Sequence, residues 1–83
     1  MLMNRYFFDL HNGDGPVRDE QGTRLPSREA VPREIARIVL DIARDELPVS
    51  DRTVISVRVR DETGRTISVA SLIYNNEWLD RDQ

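Results

Sequence analysis

Four side chains near the start of the chain, Asp9, His11, Asp14 and Asp19, are of types that do chemistry. A histidine beside a carboxylate can act as a general base, and three aspartates could converge on a hard cation. The spacing does not suit a helix-loop-helix calcium site. With Gly15 as its glycine, Leu10, Asn12 and Asp14 fall at the early ligand places, and Gln21 stands where the bidentate glutamate belongs. No nucleophile motif or phosphate-cradling glycine loop accompanies His11. The chain is therefore expected not to be an enzyme and to carry no cofactor. A metal-binding or hydrolytic role for the acidic 9–20 loop is the remote alternative.

A second feature is repetition. VRDEQG occupies residues 17–22, and VRDETG returns at 59–64. A type I turn favours Asp at its first position, where the carboxylate accepts local amides, and Gly at its fourth, where the chain leaves left-handed. Asp19 with Gly22 and Asp61 with Gly64 meet both requirements. Both phrases are expected to be turns that double the backbone back. The second is the more specific of the two, because alternating strands flank it.

The elements that must hold these turns can be read from periodicity. Residues 5–10 alternate Tyr6, Phe8 and Leu10 against Arg5, Phe7 and Asp9, as a strand does. HNGDGP at 11–16 is a loop signal, and short extended pieces follow around 17–18 and 23–25. From Ser27 to Leu47 the period becomes helical: Val31, Ile35, Ile38, Val39 and Ile42 share one side, with charges opposite. Ser27 is the expected N-cap and Pro48 the stop. Pro32 is tolerable in a first turn. Two alternating strands end the pattern. Ile55, Val57 and Val59 in 53–60 and Ile67, Val69, Ser71 and Ile73 in 65–74 are expected to face the helix, leaving Arg58, Arg60, Thr66, Ser68, Ala70, Leu72 and Tyr74 on the open face. The fold class is thus α+β: a two-layer sandwich of one amphipathic helix, about 28–47, on a small antiparallel sheet in the order β-β-α-β-β. Residues 1–83 are expected to form one domain, with 79–83 expected as a frayed C-terminal tail.

Composition narrows the functions. The chain has 12 cationic and 15 acidic residues, a net charge of −3, and no cysteine. The charge opposes general phosphate-backbone binding, so nucleic acid is not the expected partner. No apolar run approaches the roughly 20 residues of a membrane span, and a cytoplasmic location is expected. All the cations are arginine, interspersed with acids as solvated faces are.

RYFFDLHNGDG, VRDEQG with the following LPS, ARDELP at 43–48, VRVRDETG and EWL, taken together, resemble one of the small bacterial families of unknown function. The resemblance spans nearly the whole chain. Pro32 departs from it, because the family's helix start reads alanine-rich. The resemblance implies a fold and carries no activity. Function is read instead from excess apolar surface: Phe7, Leu40, Leu47, Leu72, Tyr74 and Trp78 exceed what one helix-on-sheet core needs. The leading expectation is a non-enzymatic protein-interaction domain, homodimeric or docking to another protein, with aromatic residues as anchors. The alternative is an RNA-binding or antitoxin-like module, suggested by hairpin-then-helix order and by Tyr74 near Arg58 and Arg60.

Overall fold

The computed structural model describes residues 4–12 and 15–80. Strands β1 (Asn4–Asn12), β2 (Gly15–Val17) and β3 (Thr23–Leu25) precede helix α1 (Val31–Glu46), and β4 (Arg52–Arg60) and β5 (Thr66–Asn75) follow it. The molecule is α+β, with α1 packed chiefly on β4 of an antiparallel sheet ordered β2-β1-β4-β5. β3 also pairs with β1.

Side chains that alternate along a strand must choose a face, and here the helix face takes the largest apolar ones. Ile55, Val57 and Val59 of β4 are completely buried. Tyr6 and Phe8 join them from β1, and Val31, Val39 and Ala43 from α1. Ile35, Ile38, Ile42 and Leu47 widen the helix's contact as half-buried neighbours. Its solvent side is laced by Glu34–Arg37 at 2.6 Å and by Arg37 and Arg44 on Asp41, both at 3.3 Å. Each such exposed pair adds little stability.

The helix boundaries differ from those expected. Ser27 precedes a 3-10 turn, Arg28–Ala30, and makes no side-chain capping bond. The α-helix proper begins at Val31, with Pro32 in its first turn. The ring costs nothing there, because that amide would have no partner within the helix. At the other end Pro48 lies inside a second 3-10 turn, Leu47–Val49.

A larger correction concerns β5. The register places Leu72 opposite Ile55, Ala70 opposite Val57 and Ser68 opposite Val59. Directly opposed residues share a face, so Ser68, Ala70, Leu72 and Tyr74 lie on the helix side. Val69, Ser71 and Ile73 lie on the open side, the reverse of the expected phase. The cause is a register shift between Val59 and Arg60, where Ile67 stands without an opposite number. A bulge of one residue exchanges the faces of everything beyond it. Without it, the tight turn would have set Ile67 against Val59 and Val69 against Val57.

The first acidic phrase also departs from expectation. β2 and β3 both run antiparallel to β1, pairing with its two ends, Leu10–Asn12 and Asn4–Tyr6. The chain between them does not reverse at 17–22; it loops out opposite Phe7–Asp9 and resumes in the same direction. Asn12 of β1 pairs with Gly15 of β2, and residues 13–14 of the expected HNGDGP loop are outside the described residues. So are residues 81–83 of the expected tail. No helix among the described residues is long and apolar enough to cross a membrane.

Candidate functional site

The four residues singled out for chemistry are committed differently. Asp9 lies on the open face of β1 and receives a bidentate arginine, Arg60, with Nε on Oδ2 at 2.7 Å and Nη2 on Oδ1 at 3.0 Å. The same Nη2 donates to the Asp19 carbonyl at 2.9 Å, and the Asp19 amide donates to Asp9 at 2.9 Å. The guanidinium also sits 4.9 Å from the centre of the Phe7 ring. Arginine thus ties the second acidic phrase to the first. Asp19 accepts three backbone amides, from Phe8, Gln21 and Gly22, at 3.0, 3.1 and 3.0 Å.

These contacts set the charges. The Arg60 hydrogen bond holds Asp9 below the usual carboxylate range against an opposing push from burial. Burial pushes Asp19 up, but the amides of Gly22, Phe8 and Gln21 together outweigh it and its carboxyl also ends low. Acceptors so occupied brace the loop that stands in place of strand pairing opposite Phe7–Asp9 of β1; they are poorly placed to ligate an ion. His11 is exposed on the open face, and Asp14 lies outside the described residues. Asp61 accepts Thr63 Oγ1 at 2.6 Å and the amides of Thr63 and Arg65, while Gly64 donates back to its carbonyl at 3.0 Å, closing the β4–β5 turn.

The residues expected to form an interface separate into groups. Phe7 is half-buried beneath Arg60 on the open face. Leu72 and Tyr74 are half-buried on the helix side of β5, so Tyr74 is across the sheet from Arg58. Leu40 is 59% exposed and Leu47 is half-buried. Ile38, on one flank of α1, lines a groove with Phe8, Leu10 and Val17 toward β2. At about 100° per residue, Leu40 and Leu47 fall on the opposite flank, toward β5. Trp78 is exposed just beyond that strand. Leu40, Leu47, Leu72 and Tyr74 therefore gather along one side of the molecule, above and on β5, with Trp78 just past the strand's end.

Three apolar residues absent from that expected set complete the surface. Val54, Val69 and Ile73 are 53%, 61% and 73% exposed on the open face of β4 and β5. A shallow groove of about 510 Å³ continues from Val69 past Arg58, Ser56, Asp9 and His11. Only the bulge reveals Val69 and Ile73 as exposed, so alternation alone pointed to the wrong set.

β5 is also an edge. Among the described residues β4 is the only strand paired with it. Over its ten residues, TISVASLIYN, it holds no charge and no proline. Its free hydrogen-bonding groups can be assigned by alternation. Asn76 donates to the Asp51 carbonyl at 2.7 Å, and antiparallel pairs exchange bonds at every second residue. Ser68, Ala70, Leu72 and Tyr74 thus bond toward β4. Val69, Ser71, Ile73 and Asn75 direct their amides and carbonyls outward, away from the sheet.

A family model described as a domain of unknown function (DUF6894) matches residues 5–73, and the chain belongs to that family. No curated protein and no solved structure matches it.

Proposed function

We propose that this domain is a non-enzymatic interaction module that works as a homodimer, two copies joining their β5 edges into one continuous sheet. The observation that carries the reading is the edge itself: ten residues without charge or proline, an outward row of unsatisfied peptide groups, and Val69 and Ile73 exposed beside it. Long apolar edges template pairing with another strand, and proteins that must stay apart blunt them with charge, proline or a covering loop. The β2–β3 edge shows such blunting, since Pro16 and the loop at 18–22 interrupt it. β5 carries only the bulge near its start.

A second copy suits this edge better than an unrelated strand, because the apolar flank above β5, with Leu40, Leu47, Leu72 and Tyr74, would face its own equivalent across the joined sheet. A cytoplasmic setting belongs to the reading, as the fold is held without disulfides. A strand pair lies at the low end of interface sizes, below about 1,200 Å², so exchange between monomer and dimer should be reversible. Sedimentation velocity across the micromolar range should show the weight-average mass climbing toward a dimer. Ile73→Lys should hold the chain at monomer mass with an unchanged far-ultraviolet circular dichroism spectrum. Monomer at every concentration for the natural sequence would end the proposal.

A further inference from the structure

The free edge restricts how a second copy can align. Resting on the dimer reading above, we infer that the two β5 strands pair antiparallel about a two-fold axis through Ser71, so that Ser71 faces Ser71 of the partner subunit and Val69 faces the partner subunit's Ile73. Three observations lead to this register. First, only the odd-numbered residues from Val69 to Asn75 present outward amides and carbonyls, as the Asn76–Asp51 bond requires by alternation. Bonded pairs across the new seam must therefore join odd residues to odd residues.

Second, a two-fold axis perpendicular to the sheet matches open face to open face, and only one such alignment sets Val69 and Ile73 both against apolar residues; an axis through Val69 or Ile73 pairs that residue with itself but strands the other. Centred on Ser71, both seams of the open face hold a Val69–Ile73 pair, and on the helix side Leu72 meets Ala70. Moving the axis to Ala70 or Leu72 sets Val69 against Ser71 or Asn75. Moving it to Val69 brings Arg65 opposite Ile73, and moving it to Ile73 brings Val69 opposite Glu77. Apolar pairs across strands are the stabilising unit of a sheet.

Third, the Ser71-centred alignment uses nearly all of the strand beyond the bulge, from Ser68 against Tyr74 at each extremity. Both helices then stand on the same side of the joined sheet. Each packs over its own β4, so three strand spacings, about 14 Å, separate them. That exceeds the 8–10 Å of directly packed helices, leaving a trough floored by Ala70, Leu72 and Tyr74 and walled by Leu40. In one copy Ala70, Leu72 and Tyr74 are half-buried and Leu40 is exposed, as residues standing at half of such a trough would be.

Single-cysteine variants of the full chain test the register, because it holds no native cysteine. Opposed residues of a bonded antiparallel pair lie about 5.5 Å apart at Cα, within disulfide reach. Under mild oxidation Ser71→Cys should link to itself in high yield. Val69→Cys and Ile73→Cys should link efficiently only when mixed, and Ala70→Cys should not link to itself. Circular dichroism melts would establish that each variant is folded. A dimer by sedimentation in which Ala70→Cys or Val69→Cys links to itself and Ser71→Cys does not would overturn this register while leaving the edge-joined dimer standing. A chain that sediments as a monomer would remove both.

Discussion

Gly22 and Gly64 end the two copies of one phrase, and their surroundings predict different tolerance. Both have positive φ, +76° and +89°, where a side chain is strained. A Cβ at Gly64 meets nothing within 4 Å, but at Gly22 it would lie 2.8 Å from Arg5 Cγ and 2.9 Å from Phe7 Cε2. Gly64→Ala should cost about 1 kcal/mol from backbone strain alone, and Gly22→Ala roughly 2–3 kcal/mol, since the ring and the arginine stem must also move. Urea titrations of the two variants would show the difference. Asp9 and Asp19 give a second prediction. Both titrate below the ordinary 3.8 in the folded chain. A depressed carboxyl adds stability above its unfolded value and loses it as pH falls through the folded one. The urea midpoint should therefore be level in these groups' contribution near neutrality and decline from about pH 4 downward. Asp9→Asn with Asp19→Asn should be less stable at neutral pH and show a shallower acid decline. An acid slope unchanged in the double variant would remove these two groups as its source.

At the scale of elements, two hexapeptides that differ only at Gln21 and Thr63 have two outcomes, and beyond the Thr63 hydroxyl bond to Asp61 the reason is their neighbours. Asp61 serves a turn because strands of matching length leave it on both sides. Asp19 serves a loop because the Phe8 amide of β1, otherwise facing a gap, needs an acceptor. The helix and the β4–β5 turn were legible from the sequence, since a wide apolar stripe and an Asp-x-x-Gly between alternating runs are local signals. The phase of β5 was not. Ile67, Val69 and Ile73 on one set and Ala70, Leu72 and Tyr74 on the other make both faces apolar, and nothing in either set marks the bulge. The Arg60–Asp9 link joins positions far apart in sequence, visible only once β1 and β4 are paired. The bulge yields its own prediction. Removing Ile67 leaves Ser68 opposite Val59 and everything beyond in its present register, so the deletion variant should fold. Its loss of stability should be about 1–2 kcal/mol, close to that of Ile67→Ala, because the half-buried side chain is most of what is lost. Nuclear Overhauser contacts between Leu72 and Ile55 should survive the deletion; their replacement by contacts between Ile73 and Ile55 would show that Ile67 is an ordinary member of the strand.

For the whole molecule, the question is why a chain this small leaves an edge and a flank uncovered. Eighty-three residues bury only about 60% of the surface their unfolded form exposes, and one helix over β4 cannot reach across β5 as well. The proposed association would extend the core without lengthening the chain, and would make stability depend on concentration. Proline substitution separates the two roles of β5. Ser71 points its amide outward, so Ser71→Pro removes no backbone bond to β4, losing only the exposed Ser71–Ser56 hydroxyl contact at 3.0 Å, and is of the kind edge strands accept. Leu72 bonds inward, and Leu72→Pro breaks the ladder and buries a misfit on the helix side. Ser71→Pro is therefore expected to fold, to sediment as a monomer, and to unfold at a urea concentration independent of protein concentration. The natural chain should show a midpoint that rises with concentration, and Leu72→Pro should be largely unfolded. If Ser71→Pro sedimented like the natural chain, the seam could not run along β5. If it unfolded as Leu72→Pro does, the assignment of inward and outward amides along the strand would be wrong.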